Sequence, residues 1–213
     1  MNSYSRYKSL VNKHFRARLK DFRPTSLAGR FVGPKVLMNS IPKAGTNLIE
    51  QALSHFPLLH RSGFRTLGGW NEISPATLAK ISSLERGGVA LGHLPAHPEL
   101  LTAIKKAGVR PLLMVRDPRD QIVSYVKYVT SIDKTHPAHS YFASLKNDKS
   151  RYLAAINGVD GIKSPVNETL QKYSGWLDFD AMVVRFEDII GSLGGGNDEK
   201  QFKVICEIGD FIG

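Results

Sequence analysis

Cysteine is almost absent from this sequence, since Cys206 is the only one among 213 residues. An internal disulfide is therefore impossible, and a reducing compartment, with the cytoplasm as the default, fits the chain. No apolar run approaches the roughly 20 residues that a membrane-spanning helix needs. The first 20 residues also lack the apolar segment of a secretory signal. No cluster of cysteine and histidine suggests a metal, so we expect no metal site.

Acidic residues are scarce beside basic ones, with 19 Asp and Glu against 29 Lys and Arg. The resulting net charge of +10 and a pI near 9.7 favour acidic partners, such as a phosphorylated cofactor, an anionic glycan, a membrane surface or nucleic acid. Nothing beyond this charge is typical of nucleic-acid binding, so we expect no nucleic-acid partner. The hydrophobic content of 42% is ordinary for a soluble globular protein.

The chain divides into a basic extension, residues 1–35, and a patterned domain, residues 36–213. Apolar side chains in the extension recur near helical spacing, which predicts an amphipathic helix followed by a loop through residues 23–34. We expect that helix to pack on the domain, with contact to a membrane surface as an alternative. The residues that define it are Tyr4, Tyr7, Leu10, Val11, Phe15 and Leu19.

Strands and helices alternate through the domain. Short, continuous apolar runs predict buried strands at Val36–Ser40, Val89–Gly92, 109–117 and 180–188. Predicted helices lie between and after them, at 46–55, 75–85, 98–107, 118–132, 140–156, 163–177 and 197–213. This order predicts a three-layer α/β fold, with a mainly parallel sheet flanked by helices.

The first predicted strand turns directly into a helix through "IPKAGTNL", residues 41–48. A helix N-terminus presents unpaired N–H groups and the positive end of a dipole, which together bind anions. Gly45 allows a close backbone approach, Thr46 is suited to cap the helix, and Lys43 adds a full charge. The alternative is an ordinary strand-turn-helix with a surface lysine. In nucleoside triphosphatases the lysine follows the last glycine, whereas Lys43 precedes Gly45.

The segment resembles the 5′-phosphosulfate loop of sulfotransferases that use 3′-phosphoadenosine 5′-phosphosulfate (PAPS). It shares their Pro-Lys-x-Gly-Thr core. The resemblance implies that the cofactor contacts Lys43, Ala44, Gly45, Thr46 and Asn47.

The stretch "RDPRDQIVS", residues 116–124, is similar to the 3′-phosphate motif of the same family. Arg116 ends a predicted strand, Pro118 begins a helix, and Ser124 lies about two turns into it. An arginine and a hydroxyl at this spacing are suited to hold a phosphate monoester. The resemblance assigns Arg116 and Ser124 to the 3′-phosphate. We expect Arg119 and Asp120 to make surface or cap contacts.

A histidine ends the second predicted strand, in "LGHLPAHP", residues 91–98. His93 would lie at the carboxyl edge of the sheet, where ligands bind, and its ordinary pKa suits proton abstraction. The segment is similar to the catalytic His-Leu-Pro segment of the sulfotransferases, which implies that His93 is the general base and Lys43 a catalytic cation. A lone histidine is more often structural, and we interpret His97 so.

The later "VVRFEDII" resembles the [YF]-E-D turn of the family, where we expect Glu187 and Asp188 to cap or brace. Trp70, Arg61 and Arg65 are candidates for an acceptor pocket, with packing and surface charge as the alternative. Many members also have a basic, glycine-rich 3′-phosphate loop after that turn. The sequence through Gly213 contains none, so we expect either a truncated chain or a phosphate site built without it.

The resemblance implies a PAPS-dependent sulfotransferase on an α/β fold like that of P-loop nucleoside triphosphatases. Such an enzyme would need no metal and would transfer a sulfuryl group to a hydroxyl or amine. The residues of two stretches, 57–73 and 131–167, favour a carbohydrate-type or lipid-linked saccharide acceptor. The sequence leaves the oligomeric state open. Two alternatives stay open as well, a nucleotide-dependent kinase and a non-catalytic nucleotide-binding relative.

Overall fold

The computed structural model describes residues 27–68 and 72–213. The predicted N-terminal helix, with its alternative role at a membrane surface, lies outside these residues, and so does Trp70. Within the described part of the chain, no helix has both the length and the apolar character needed to cross a membrane.

In the described part of the chain, six strands form one sheet in which every pair is parallel. They are β1 (Lys35–Ser40), β2 (His60–Arg61), β3 (Leu67–Gly68), β4 (Gly88–His93), β5 (Val109–Val115) and β6 (Met182–Arg185). The order across the sheet is β2-β4-β1-β5-β6, and β3 also pairs with β4. With helices flanking this sheet, the predicted α/β fold is confirmed.

The helices are α1 (Leu27–Val32), α2 (Thr46–Leu53), α3 (Pro75–Ser82), α4 (Pro98–Ala107), α5 (Pro118–Lys127), α6 (His139–Ser144), α7 (Asp148–Asn157), α8 (Val166–Ser174), α9 (Phe186–Ile189) and α10 (Asp198–Ile212). A π-helix, Tyr128–Ile132, continues α5, and a 3₁₀ turn, Ser192–Gly194, precedes α10.

Several predicted boundaries are wrong. The expected loop at residues 23–34 contains α1, a single short helix. The helix predicted over 140–156 is two helices, because Leu145 is extended and the Asn147 side chain caps a new helix by accepting from the Ser150 N–H. The helix predicted over 163–177 begins only at Val166.

The central strand β1 lies between β4 and β5, and Val36 to Ser40 are buried throughout, as a parallel strand covered on both faces requires. Its register pairs Asn39 with Gly92 of β4 and Ser40 with Met114 of β5. The three strands therefore end side by side at one edge of the sheet. Ligands of open α/β sheets bind at this edge.

Candidate functional site

The loop after β1 is shaped by two residues with positive φ. Gly45 has φ 111° at the N-cap position of α2, and Lys43 has φ 70°, which is unusual for a residue with a side chain. A Cβ at position 45 would lie 2.5 Å from a ring carbon of Phe186 and 3.0 Å from the Met114 methyl group. Glycine is therefore required at position 45 for both conformation and space.

The N–H groups at the start of α2 are available to a ligand. The Ala44 N–H donates to the Ile41 carbonyl at 3.0 Å and completes the turn. Among the described residues, the N–H groups of Gly45, Thr46 and Asn47 have no hydrogen-bond partner. Three free donors at a helix N-terminus form the anion-binding arrangement that the sequence indicates.

The predicted capping role of Thr46 is wrong, because the N-cap residue is Gly45 and no side chain caps α2. The Thr46 hydroxyl instead lies 2.7 Å from the Ser40 hydroxyl, which is 3.1 Å from His93 Nδ1. Because Gly45, with its left-handed backbone, is the N-cap residue, Thr46 is the first residue inside the helix. A line of polar contacts thus connects His93 with the start of the anion-binding helix.

The histidine is held in one tautomer. His93 Nδ1 lies 2.9 Å from the Ser40 carbonyl oxygen, which only accepts, so Nδ1 carries the proton and donates. This leaves the lone pair on Nε2. Burial lowers the pKa of His93, the hydrogen bond to Ser40 opposes that shift, and the Lys43 charge lowers the pKa further. A neutral imidazole with a free Nε2 is the form that a general base requires.

Asn39 fixes the backbone that carries His93. Its side chain is 0% exposed, donates to the Leu94 carbonyl at 2.8 Å and accepts from the Leu94 N–H at 2.8 Å. The indole N–H of Trp176 donates to the same carbonyl at 2.9 Å. Because Leu94 directly follows His93, these bonds set the direction in which β4 ends.

Replacing Asn39 with alanine is expected to lower the free energy of unfolding by about 2–3 kcal/mol, because the buried Leu94 N–H would lose its partner. Urea unfolding measures this change. The matched control is Asn167→Ala, at an exposed position of α8, which is expected to change stability by no more than about 0.5 kcal/mol. Equal losses in the two variants would contradict a supporting role for Asn39.

Lys43 is half-buried beside the loop, with its ammonium nitrogen 3.6 Å from the centre of the Tyr128 ring. Burial lowers its pKa to about 8, the Arg116 charge lowers it as well, and the Asp133 carboxylate raises it. Asp133 accepts a hydrogen bond from the Tyr128 hydroxyl at 2.9 Å. The π-helix Tyr128–Ile132 thus supplies both the ring and, at its end, the carboxylate that face this lysine.

Arg116 follows β5 and faces the same edge of the sheet. Its guanidinium carbon lies 4.1 Å from the centre of the Phe186 ring, and its contact with Asp120 is long, at 4.0 Å. Arg116 Nε is buried and has no hydrogen-bond partner within the described ranges. An unpaired, buried guanidinium N–H is a donor that fits an anionic oxygen.

The remaining predicted residues lie on α5 and after β6. Ser124 is partly buried on α5, and its hydroxyl makes no hydrogen bond to the part of the chain that the structure describes. Glu187 accepts from the Asp117 N–H at 2.8 Å, and Asp188 pairs with Lys200 at 2.8 Å, which confirms their bracing role. Arg119 pairs with Asp117 at the surface, also as expected.

Two of the proposed acceptor residues are occupied elsewhere or exposed. Arg61 pairs with Glu50 at 3.3 Å, and Arg65 is exposed. His97, interpreted as structural, occupies the N-cap position of α4. Neither arginine makes a hydrogen bond or ion pair with Lys43, His93 or Arg116 within the described residues.

Sequence reasoning missed several residues that shape the site: Asn39, Ser40, Gln121, Tyr128, Asp133 and Phe186. Asn39 and Ser40 had a usable signal, since two consecutive polar residues end an otherwise apolar buried strand.

Gln121 is 7% exposed and donates from Nε2 to the Pro42 carbonyl at 2.6 Å, so it connects α5 to the loop.

The arrangement is that of a three-layer α/β protein in which the loop after the central strand presents three free N–H groups. The two neighbouring strands lead to a histidine and an arginine. A crystal structure of mouse sulfotransferase SULT7A1 complexed with PAP is similar, with a TM-score of 0.58 and 14% sequence identity. The match covers 89% of this chain and 63% of that one, so the chain spans less than two thirds of its length. No protein-family model and no curated protein matches the sequence. At this identity the likeness shows the fold alone.

Proposed function

We propose that the protein is a sulfotransferase that uses PAPS as the sulfuryl donor and a hydroxyl or amine as the acceptor. One observation carries the proposal, namely that three adjacent parallel strands end side by side at one edge of the sheet. They lead to the loop with three free N–H groups, to Arg116 with its buried, unpaired Nε–H, and to His93 with its free Nε2. The nucleotide in the similar mouse structure supports the same donor.

The residues present suit this donor. The N–H groups of Gly45, Thr46 and Asn47 would hold the 5′-phosphate, and Arg116 with Ser124 would hold the 3′-phosphate. When bound, PAPS supplies the sulfuryl group that is transferred. His93 Nε2 would accept the proton of the attacking hydroxyl or amine, while Nδ1 stays bonded to the Ser40 carbonyl. The Lys43 ammonium would stabilise negative charge that develops on the leaving phosphate oxygen.

The product nucleotide tests the proposal directly. 3′-Phosphoadenosine 5′-phosphate (PAP) is expected to bind without magnesium and to raise the melting temperature by mass action. Calorimetry with PAP and with ATP plus magnesium measures both ligands. Stabilisation by ATP with magnesium but not by PAP would favour a kinase. PAP binding without transfer to any of a panel of acceptors would favour a non-catalytic relative.

Arg116→Ala is expected to weaken PAP binding by about 10–100-fold, because a charge-assisted contact with the 3′-phosphate is lost. Binding of adenosine 5′-phosphate, which lacks that phosphate, is expected to change much less. Arg119→Ala is the matched control, since this exposed arginine is paired with Asp117. If PAP and adenosine 5′-phosphate lose affinity equally, Arg116 does not read the 3′-phosphate.

A further inference from the structure

A large pocket adjoins the loop on the side of α5, α7 and α8. Its volume is about 830 Å³, in the upper part of the range of about 300–1,000 Å³ that small-molecule sites occupy. Pro42, which directly precedes Lys43, forms part of its wall. The second stretch of the sequence proposed for acceptor binding contributes residues 136, 155 and 157–166, whereas the first stretch contributes none among its described residues.

Gln121 gives this pocket a polar atom without a partner. Its Nε2 is bonded to the Pro42 carbonyl, while Oε1 is buried and accepts no hydrogen bond from the described residues. A buried amide oxygen left unpaired is costly, so Oε1 is suited to accept a hydrogen bond from a bound molecule. The same side chain would then contact both the phosphate-binding loop and that molecule.

Other pocket residues offer both hydrogen-bond donors and hydrogen-bond acceptors. His136 Nδ1 accepts from the Ala138 N–H, so the neutral imidazole carries its proton on Nε2. Lys163 donates to the Ser164 carbonyl at 2.6 Å and keeps further N–H groups, and the exposed Asp160 and Glu168 supply carboxylates. Hydroxyl groups, which both donate and accept, match such a mixed lining.

The lining disfavours two other classes of acceptor. The lining contains one lysine and two carboxylates, so the pocket has no excess of positive charge for an acidic sugar. The Tyr125 ring is engaged on several sides, by Phe142 at 5.6 Å, by His136 at 6.0 Å and by the Lys163 ammonium at 5.4 Å. It is therefore poorly placed to stack on a flat phenol.

We infer that this pocket binds a neutral, hydroxyl-rich acceptor, a saccharide, and that Gln121 Oε1 accepts a hydrogen bond from one of its hydroxyls. Calling this molecule the acceptor rests on the transfer reaction proposed above. The binding itself depends only on the pocket. Gln121 thus determines acceptor specificity while it holds Pro42 in place.

Saturation-transfer NMR and titration calorimetry test the inference on the full chain, with and without saturating PAP. The probes are three neutral disaccharides (cellobiose, lactose and chitobiose), cellobiouronic acid as the acidic analogue, and 2-naphthol as the phenol. Gln121→Met is expected to weaken the best neutral disaccharide by about tenfold, because the Oε1 acceptor is lost. Tyr125 also lines the pocket, and its hydroxyl has no hydrogen-bond partner within the described residues, so Tyr125→Phe is expected to weaken binding by about threefold. Tyr152→Phe is the matched control, because Tyr152 lies on α7 but does not line the pocket.

The outcomes separate this inference from the proposed function. Disaccharide binding that is weaker in Gln121→Met and Tyr125→Phe, but not in Tyr152→Phe, supports the inference. It does so even if PAP fails to bind, because failure of PAP to bind would overturn only the proposed sulfotransferase function. The saccharide inference would be overturned if cellobiouronic acid or 2-naphthol bound more tightly than every neutral disaccharide. It would also be overturned if no neutral disaccharide bound. Unchanged binding in Gln121→Met and Tyr125→Phe would overturn it as well.

Discussion

Replacing His93 with alanine is expected to lower the turnover of sulfuryl transfer by about 10²–10⁴-fold, the usual contribution of a general base. PAP affinity is expected to stay within a few-fold, because the base acts on the acceptor proton in the transition state rather than on the bound nucleotide. Single-turnover transfer from labelled PAPS to an acceptor found by screening, together with calorimetry with PAP, measures both quantities.

His93→Asn separates chemistry from structure. An asparagine amide is able to keep the hydrogen bond to the Ser40 carbonyl that His93 Nδ1 makes, while it removes the basic Nε2. We expect this variant to be as slow as His93→Ala and closer to the wild type in stability. A fully active His93→Asn would move the base to another residue.

The pH dependence follows from the direction of the pKa shift. The pKa of His93 is lowered from 6.5 by burial, so the imidazole stays neutral to a lower pH than usual. Since the neutral form is the base, kcat/KM in the wild type is expected to fall only when the pH drops below 6.5. An acid limb with its midpoint above 6.5 would contradict this geometry.

Replacing Lys43 with alanine is expected to lower turnover by about 10²–10³-fold, the range for removing a group that stabilises developing oxyanion charge. PAPS affinity is expected to fall less, because charge on the leaving oxygen is greatest in the transition state. Lys43→Arg is expected to recover only part of the rate, since a planar guanidinium is a poor replacement for a compact ammonium. If saturating PAPS restores the wild-type rate to Lys43→Ala, the lysine only binds.

The lowered pKa of Lys43 predicts that PAP affinity depends on pH. An anion beside the ammonium raises its pKa above the value of about 8 in the free protein, so PAP prefers the protonated form. Above pH 8 the free protein must take up a proton on binding, and PAP affinity is expected to fall by up to about tenfold per pH unit. Lys43→Arg remains charged there, so its PAP affinity should be flat between pH 8 and 9.

Much of the fold could be predicted because long buried strands and capped helices leave local signals. The strand predicted at Val36–Ser40 is observed as Lys35–Ser40, and α4 begins at Pro98 and ends at Ala107 as predicted. The two-residue strands β2 and β3 carry no comparable signal, because they are defined by their pairing with β4 rather than by their own residues. At 140–156, helical periodicity obscured the break that the Asn147 cap produces.

The site was predictable where a motif spans consecutive residues and unpredictable where it depends on distant ones. Proximity of Lys43, His93 and Arg116 followed from the rule that parallel strands end at one edge. The left-handed backbone of Lys43, the ring of Tyr128 beneath its ammonium and the bond from Gln121 to Pro42 depend on packing between separate elements. No local pattern around residue 43 contains that information.

The contact between Gly45 and Phe186 has a consequence for the order in which the protein becomes functional during synthesis. The loop after β1 leaves the ribosome before the ring against which Gly45 packs, because Phe186 follows β6, the last of the described strands in chain order. β1 must likewise wait for β4 and β5 to cover its two edges. Domains of this topology form few lasting contacts before their non-local strands pair. A nascent chain that already contains the whole loop motif therefore still lacks the ring that packs against Gly45 until Phe186 has emerged.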